Sequence, residues 1–132
     1  DYYESALEPG ELLTELVVPQ ATPGAKTVYL KFLPRTEDDY ATVSVAALAR
    51  VENGVCQEIR VALGAVGPTP IRATAVEAAL QGQQVTPDAV RAAAEAVADQ
   101  VDPLTDFRGS ADYKRDMAVV FTRRALEQVL GL

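Results

Sequence analysis

The 132-residue sequence contains no histidine and only one cysteine. Without histidine, the chain can supply neither an imidazole ligand nor a Ser-His or Cys-His dyad. The single cysteine, Cys56, excludes an internal disulfide and any metal or iron–sulfur site built only from cysteines of this chain. Because its neighbours follow a strand-like pattern, we interpret Cys56 as a small packed thiol. The chain therefore has no self-contained catalytic group of the usual kinds.

Long apolar runs and an excess of positive charge are lacking as well. No apolar run approaches the roughly 20 residues that a membrane-spanning helix needs, so we expect no membrane insertion and a cytoplasmic location. The formal net charge is -7, which disfavours nucleic acid because phosphate contacts require a basic surface. The densest basic group, Arg115 with Arg123 and Arg124, is mixed with acidic residues. We therefore predict no nucleic-acid partner.

What is present is a folded core. The length predicts a single domain over residues 1–132, and a hydrophobic content of 48% argues against disorder. Strand-like patterns fill the first half of the chain. They predict strands at residues 12–18, 27–32, 43–52 and 55–65.

The dipeptide Asn53-Gly54 predicts a hairpin between the last two of these strands. A two-residue turn would mix polar and apolar side chains on both faces of the hairpin. A three-residue loop over residues 52–54, with Gly54 left-handed, pairs Val51 with Val55 and separates the faces, so we choose it. The predicted inner face then carries Val43, Val45, Ala47, Ala49, Val51, Val55, Ile59, Val61 and Leu63, and the outer face carries Arg50, Glu58 and Arg60.

Three helices are predicted in the second half. The first has an apolar stripe ending at Leu80, before Gly82. The second begins at the cap Thr86, and the third at the cap Ser110. Their predicted buried residues are Ala73, Val76 and Leu80, then Val90, Ala94, Val97 and Val101, and finally Ala118, Phe121, Ala125 and Val129. Strands followed by helices predict a two-layer α+β fold, with an antiparallel sheet of three to four strands and three helices packed on one face.

The run YLKFLPRTEDDYA, residues 29–41, concentrates charge beside an apolar strand end. Such a cluster is typical of a site that holds a planar, redox-active ligand. The alternative is a solvated Lys31 followed by a salt-bridged loop of Arg35, Asp38 and Asp39. Acid–base catalysis by the two aspartates is disfavoured, because adjacent residues on an extended chain point to opposite sides.

Two other motifs favour architectural roles. The run Gly67-Pro68-Thr69-Pro70 ends a strand and directs the chain into the first helix, and Arg72 follows it. We interpret Arg72 as a structural residue that bonds carbonyl groups or a neighbouring domain. Arg108 is interpreted as structural too, because it stands two residues before the cap of the last helix.

Four segments, taken in order, resemble the motifs of a known family. They are ALEPGELLTELVVP (residues 6–19), YLKFLPRTEDDYA (29–41), GAVGPTPIRATAVEAALQG (64–82) and DFRGSADYKRDMA (106–118). On these motifs the chain resembles the C-terminal domain of the FAD-binding, or medium, subunit of molybdenum hydroxylases. That family includes aerobic carbon monoxide dehydrogenase and xanthine dehydrogenase. The resemblance covers nearly the whole chain.

The resemblance implies a role in electron transfer. In such enzymes a molybdopterin subunit oxidises the substrate, two [2Fe–2S] clusters carry electrons to FAD, and the flavin reduces an acceptor. The implied partners are the N-terminal FAD-binding domain of the same subunit and the iron–sulfur and molybdopterin subunits. Most FAD contacts would lie outside this chain, so we expect it to bind no FAD and to be inactive when isolated.

The resemblance also suggests which residues lie near the flavin. Lys31 is carried over as a flavin neighbour, since a cation beside the isoalloxazine ring stabilises electron density arriving there. Arg35 is a possible second neighbour, while Asp38 and Asp39 would brace the turn behind Lys31. An independent binding or scaffolding module with the same α+β fold is the alternative interpretation.

Overall fold

The computed structural model describes residues 4–20, 22–33 and 40–132. The strands are β1 (Lys26–Phe32), β2 (Val43–Glu52), β3 (Val55–Gly64) and β4 (Ile71–Arg72), and the helices are α1 (Thr74–Leu80), α2 (Pro87–Glu95) and α3 (Ala111–Leu130), with a 3-10 turn at Ala98–Gln100. This order confirms the predicted α+β class, with the sheet formed first and the helices afterwards. In the described residues, no helix has both the length and the apolar character to cross a bilayer.

The four strands form one antiparallel sheet in the order β1-β2-β3-β4. Helix α3 packs across β1 and β2, α1 packs on β3, and α2 lies against both α1 and α3. Alternating residues of β2 and β3 point into this layer and are buried, as their period of two requires. The other side of the sheet, which we call the open face, has no helix on it among the described residues.

The first predicted strand is wrong. Residues 12–18 belong to no strand, and the fourth strand of the sheet is the short β4, which follows Pro70. A β-strand is stable only when a neighbour accepts and donates its backbone hydrogen bonds. The apolar pattern of residues 12–18 is genuine, but no strand in the described part of this chain pairs with it.

The predicted hairpin is confirmed, but its predicted loop length is wrong. Glu52 pairs directly with Val55, so the turn has two residues, and both Asn53 (φ 51°) and Gly54 (φ 77°) are left-handed. The register then shifts between Arg50 and Val51, so that β3 carries one extra residue.

The bulge explains why the predicted faces are correct beyond it. Ala49 pairs with Ile59, two residues from the partner that a three-residue loop would give it. A shift of two residues leaves every side chain on its face, whereas a shift of one would reverse them all. Near the turn the prediction fails: Cys56 is fully buried, as expected of a packed thiol, while Val51 is exposed.

The helix caps are confirmed, but α2 is shorter than predicted. The Thr86 hydroxyl accepts a hydrogen bond from Ala89 N at 3.2 Å, and the Ser110 hydroxyl accepts one from Tyr113 N at 3.1 Å. Helix α2 ends at Glu95 instead of reaching Val101. The chain then tightens into a 3-10 turn, where Gln100 bonds the start of α1, and Val101 is buried all the same.

Candidate functional site

A cleft of about 600 Å³, which we call the end cleft, opens at one end of the sheet. Three connections meet there: the one from β1 to β2, the one from β3 to β4, and the loop that leads into α3. The lining residues that the structure describes are Tyr40, Ala41, Ala65, Gly67, Leu104, Asp106, Phe107, Arg108 and Lys114. The site is therefore assembled from residues that lie far apart in the sequence.

The loop before α3 forms a tight turn closed by Asp106 and Gly109. Their backbones exchange two hydrogen bonds of 3.1 Å, and the Asp106 carboxylate accepts a third from Arg108 N at 2.8 Å. Gly109 has φ 151°, and a Cβ at this position would lie 2.7 Å from the ring of Tyr113. Only glycine fits here without displacing that ring, so this turn depends on Gly109.

The start of α3 fixes the position of the loop. Besides the Ser110 cap, the Thr105 hydroxyl accepts a hydrogen bond from Ala111 N at 2.9 Å. These side chains satisfy two of the amide groups that a helix leaves unpaired at its first turn. The loop and the helix are thus one hydrogen-bonded unit, and the cleft wall that they form is held in place.

Lys114 is the most buried charged residue of the end cleft. Its ammonium group donates hydrogen bonds to the Leu104 carbonyl at 2.7 Å and to Asp106 Oδ1 at 2.8 Å, and its side chain is only 5% exposed. The hydrogen bond from the Lys114 ammonium to the Asp106 carboxylate is the main reason that the pKa of Asp106 lies below its ordinary value. A buried ammonium in the first turn of a helix is unfavourable by itself, and the carboxylate of Asp106 offsets that cost.

Two aromatic rings and a guanidinium form the mouth of the end cleft. Tyr40 is 79% exposed and Phe107 is 66% exposed, although both are large rings. Arg108 lies against both of them, with its guanidinium carbon 4.3 Å from the Phe107 centroid and 5.4 Å from the Tyr40 centroid. With Lys114 and Arg108 against the single carboxylate of Asp106, the described lining is net positive in an acidic chain.

Thr42 adds a buried hydroxyl directly after the cleft residue Ala41. Its backbone amide donates to Phe32 O at 3.0 Å, which anchors the start of β2. Its side-chain oxygen is buried and has no hydrogen-bond partner among the residues that the structure describes. Buried hydroxyls are nearly always paired, so the Thr42 hydroxyl is an exception among the described residues.

The open face is the second concave surface. It holds a shallow depression of about 430 Å³ with a floor of small apolar residues, between Tyr29 on β1 and Arg60 and Arg72 on the other side. Lys31 lies on this same face, exposed, in the row Lys31–Ser44–Gly64 across β1, β2 and β3. That row lies at the sheet end where the end cleft opens, so Lys31 is at its edge and not among its lining residues.

Of the other residues predicted from the sequence, the structure describes Arg72 but not the three charged residues that follow Lys31. Arg35, Asp38 and Asp39 lie outside the described residues. Arg72 makes two hydrogen bonds to Glu77, of 2.9 and 2.8 Å, and Glu77 also accepts one from Val61 N at 2.8 Å. This links β3, β4 and α1, and it is the kind of contact that a structural residue makes.

The sequence reasoning missed Lys114 and Asp106. A signal for Lys114 was present, because the buried stripe of α3 runs through Ala118, Thr122 and Ala125 at helical spacing, and Lys114 precedes Ala118 by four residues. A lysine at such a position must find a partner. Nothing in the sequence pattern identified Asp106 as that partner, since their pairing depends on the turn between them.

The described lining of the end cleft has the chemistry that suits a planar ligand. No group of three or more metal-binding side chains occurs in the described part of the chain. The exposed rings offer stacking surfaces, and the cations favour electron-rich atoms at the rim of a ligand. These features fit the isoalloxazine end of a flavin. They do not provide a phosphate cradle, since no glycine-rich loop precedes a helix in the way that binds pyrophosphate.

Comparison with known proteins identifies the family of the chain. Residues 28–129 match the family described as CO dehydrogenase flavoprotein C-terminal domain. The chain is 38% identical over 120 residues to the glyceraldehyde dehydrogenase medium chain of Sulfolobus acidocaldarius, covering 91% of this chain and 42% of that protein. It is 38% identical over 124 residues to the carbon monoxide dehydrogenase medium chain of Hydrogenophaga pseudoflava, covering 94% and 43%.

A solved structure is similar over nearly the whole chain. The reconstituted CO dehydrogenase from Oligotropha carboxidovorans superposes with a TM-score of 0.90 and 34% identity, covering 98% of this chain and 45% of that chain. This chain thus spans less than half the length of the relatives that it matches.

Proposed function

The chain belongs to the family of CO dehydrogenase flavoprotein C-terminal domains, and on this premise we propose that it closes one side of the flavin site in the FAD-binding subunit of a molybdenum hydroxylase. One relative is named the FAD-binding subunit of a xanthine dehydrogenase, which supports FAD as the flavin. The observation that carries the proposal is the end cleft, where exposed aromatic rings and a guanidinium surround a space of about 600 Å³.

The side chains of this wall would bind and shield one end of the flavin. Bound FAD supplies the ring that accepts electrons and passes them on. Tyr40 and Phe107 offer faces for that ring, and covering them would bury apolar surface that is exposed in this chain. Arg108 holds both rings in position, and the pair Lys114–Asp106 holds the loop that carries Phe107 and Arg108. The wall also excludes water from one side of the site.

Lys31 is proposed as the cation that faces the flavin edge. Its position at the sheet end where the end cleft opens, and its exposed side chain, support this proposal. A positive charge close to the ring stabilises the reduced flavin and raises its reduction potential. Arg35 is proposed to regulate access to the ring, and Asp38 and Asp39 to brace the turn. Structural roles are proposed for Arg72, through Glu77, and for Arg108.

The proposal extends to the whole enzyme. Residues 1–132 would be one domain that packs on the preceding FAD-binding domain of the same subunit. The iron–sulfur and molybdopterin subunits would be the electron-donating partners, and their cofactors would lie outside this chain. A cytoplasmic location stays a prediction from the sequence.

The test is an anaerobic redox titration of the flavin in the complete subunit. Replacing Lys31 by Met should lower the reduction potential by about 20 mV or more, because a unit charge a few ångströms away contributes about 1 kcal/mol even in water. Lys26→Met is the matched control, since Lys26 is exposed at the opposite end of β1. Equal potentials in the wild type and both variants would reject the role of Lys31.

A further inference from the structure

Ala65 has a backbone conformation that is unfavourable for alanine. Its φ is 66°, in the left-handed region, and among the described residues only one other non-glycine residue, Asn53, has a positive φ. Asn53 lies in the two-residue hairpin turn, where asparagine is a preferred residue. Alanine has no such preference, because its Cβ comes too close to a carbonyl oxygen in this conformation. A glycine at position 65 would not carry this cost.

The residues on both sides of Ala65 keep it in this conformation. Gly64 is the last residue of β3 and pairs with Ser44. Val66 is 1% exposed, and its carbonyl accepts a hydrogen bond from Asp102 N at 2.9 Å. The chain therefore turns at Ala65 between one residue that is fixed by the sheet and one that is fixed by the core. Strained residues persist only where the surrounding structure fixes them in this way, and they are concentrated at functional sites.

Packing within this chain does not offset the strain at Ala65. The residue is exposed, whereas Leu63 before it and Val66 after it are buried in the core. Alanine restricts the unfolded chain more than glycine does, but where φ is positive the strain in the folded state outweighs that advantage. The fold alone would therefore be more stable with glycine at this position, and the methyl group of Ala65 requires another explanation.

The position of Ala65 in the end cleft supplies that explanation. Four of the described lining residues have an aliphatic side chain or none: Ala41, Ala65, Gly67 and Leu104. Because Ala65 is exposed, a ligand in the cleft can reach it. A methyl group on this wall makes the cleft shallower and offers carbon atoms for van der Waals contact with a bound ring.

We propose that Ala65 is a specificity-determining residue of the end cleft, whose methyl group contacts the ring of the bound flavin and sets how deeply that ring enters. This inference rests on the proposed function, in which the flavin lies against this wall. The strain at Ala65 is then offset in the complete subunit by contact with the ligand, and not by contacts within this chain. Such a residue lowers the stability of the chain in favour of its function.

Ala65→Gly separates strain from ligand contact, because the two effects have opposite signs. In thermal unfolding of the 132-residue chain, the melting temperature should rise by about 2–4 °C, since glycine relieves the strain. Ala92→Gly is the matched control: Ala92 is exposed in α2 and is not a lining residue of the end cleft, so the same change there should lower the melting temperature. A fall for Ala65→Gly as well would overturn the inference, because Ala65 would then be unstrained.

FAD binding is measured on the complete subunit after removal of its flavin, by titration with FAD and detection of flavin fluorescence. Ala65→Gly should raise the dissociation constant of FAD about 3–4-fold, which is the loss expected for one buried methyl group, although it stabilises the chain. Ala65→Asn should raise it at least about tenfold, because asparagine tolerates the left-handed conformation but its longer side chain occupies part of the cleft. Ala92→Gly should leave the dissociation constant unchanged.

Phe107→Ala in the same titration separates this inference from the proposed function. Phe107 is an exposed ring of the cleft lining, so its removal should weaken FAD binding if the end cleft faces the flavin. If Phe107→Ala weakens binding while both Ala65 variants bind FAD as the wild type does, the inference about Ala65 is wrong and the proposed function stands. If none of the three substitutions changes the dissociation constant, the proposed function is wrong, and the inference fails with it.

Discussion

Lys114 is the residue that best links the packing of this fold to its candidate site. Its ammonium group is buried at the base of the end cleft and bonded to the Leu104 carbonyl and to Asp106. Such a group is stable only because both partners are present, since an unpaired buried charge costs several kcal/mol. The Lys114–Asp106 pair is therefore one of the contacts that hold the site wall, together with the caps at the start of α3.

We expect Lys114→Met to destabilise the chain by about 1–3 kcal/mol, because the substitution leaves the Leu104 carbonyl without a donor and Asp106 without its main partner. The free energy of unfolding in urea measures this effect. Lys26→Met makes the same chemical change at an exposed position and should stay within about 0.5 kcal/mol of the wild type. A similar loss in the two variants would contradict the account of Lys114.

Acid should weaken the pair through Asp106. Since its pKa is lowered in the folded state, the unfolded chain binds more protons in acid, and the stabilisation by Asp106 is present above about pH 4 and lost as the pH falls through the folded pKa. Asp106→Asn removes this contribution. The gap in unfolding free energy between wild type and variant should stay constant near neutral pH and narrow below about pH 4. A gap that does not change in acid would refute the assignment.

At the scale of elements, the first turn of α3 and the loop before it form one wall of the end cleft. The Ser110 hydroxyl and the Thr105 hydroxyl bind the first amides of the helix, and this orients the loop that carries Phe107 and Arg108. The cap was predictable from the sequence, because serine before a helical pattern is a common start signal. The sequence did not show that the same cap also supports a wall of the end cleft.

Ser110→Ala should cost about 1 kcal/mol of stability, whereas Ser110→Asp should cost little, since aspartate also caps helices well. Thermal unfolding of the 132-residue chain gives both values. Should alanine and aspartate be equally destabilising, the hydroxyl would act through contacts other than the cap.

The hairpin shows how far a sequence pattern determines register. The alternation of Val43, Val45 and Ala47 fixed which face is buried, because any error of one residue would have exposed the core. It could not fix the loop length, since a two-residue turn with a bulge and a three-residue loop give the same faces. A short strand such as β4 has too few residues to show a period at all.

At the scale of the whole molecule, the unpredicted features are those that depend on distant or missing partners. The end cleft joins Tyr40, Gly67 and Phe107, which no local pattern connects. Residues 12–18 have the composition of a strand, but they form none in this structure. Local periodicity was therefore enough to predict the core. The end cleft could be recognised only from the folded structure.

We expect the 132-residue chain to bind no FAD. In the proposal, the described residues form a wall for the ring end only, and the chain offers no glycine-rich phosphate cradle. Equilibrium dialysis or flavin fluorescence on the purified chain measures this binding, with the complete subunit as the positive control. Stoichiometric flavin on the isolated chain would contradict the division of the site between two parts of a subunit.

The central claim is that the end cleft is one wall of the flavin site, and hydrogen exchange in the complete subunit with and without FAD tests it most directly. Peptides covering residues 40–42 and 104–108 should exchange more slowly when FAD is bound, because the ligand covers the two rings and orders their loops. The amides of α2, on the far side of the core, should not change. If FAD slows exchange elsewhere in the subunit and leaves these two peptides unaffected, the end cleft does not face the flavin.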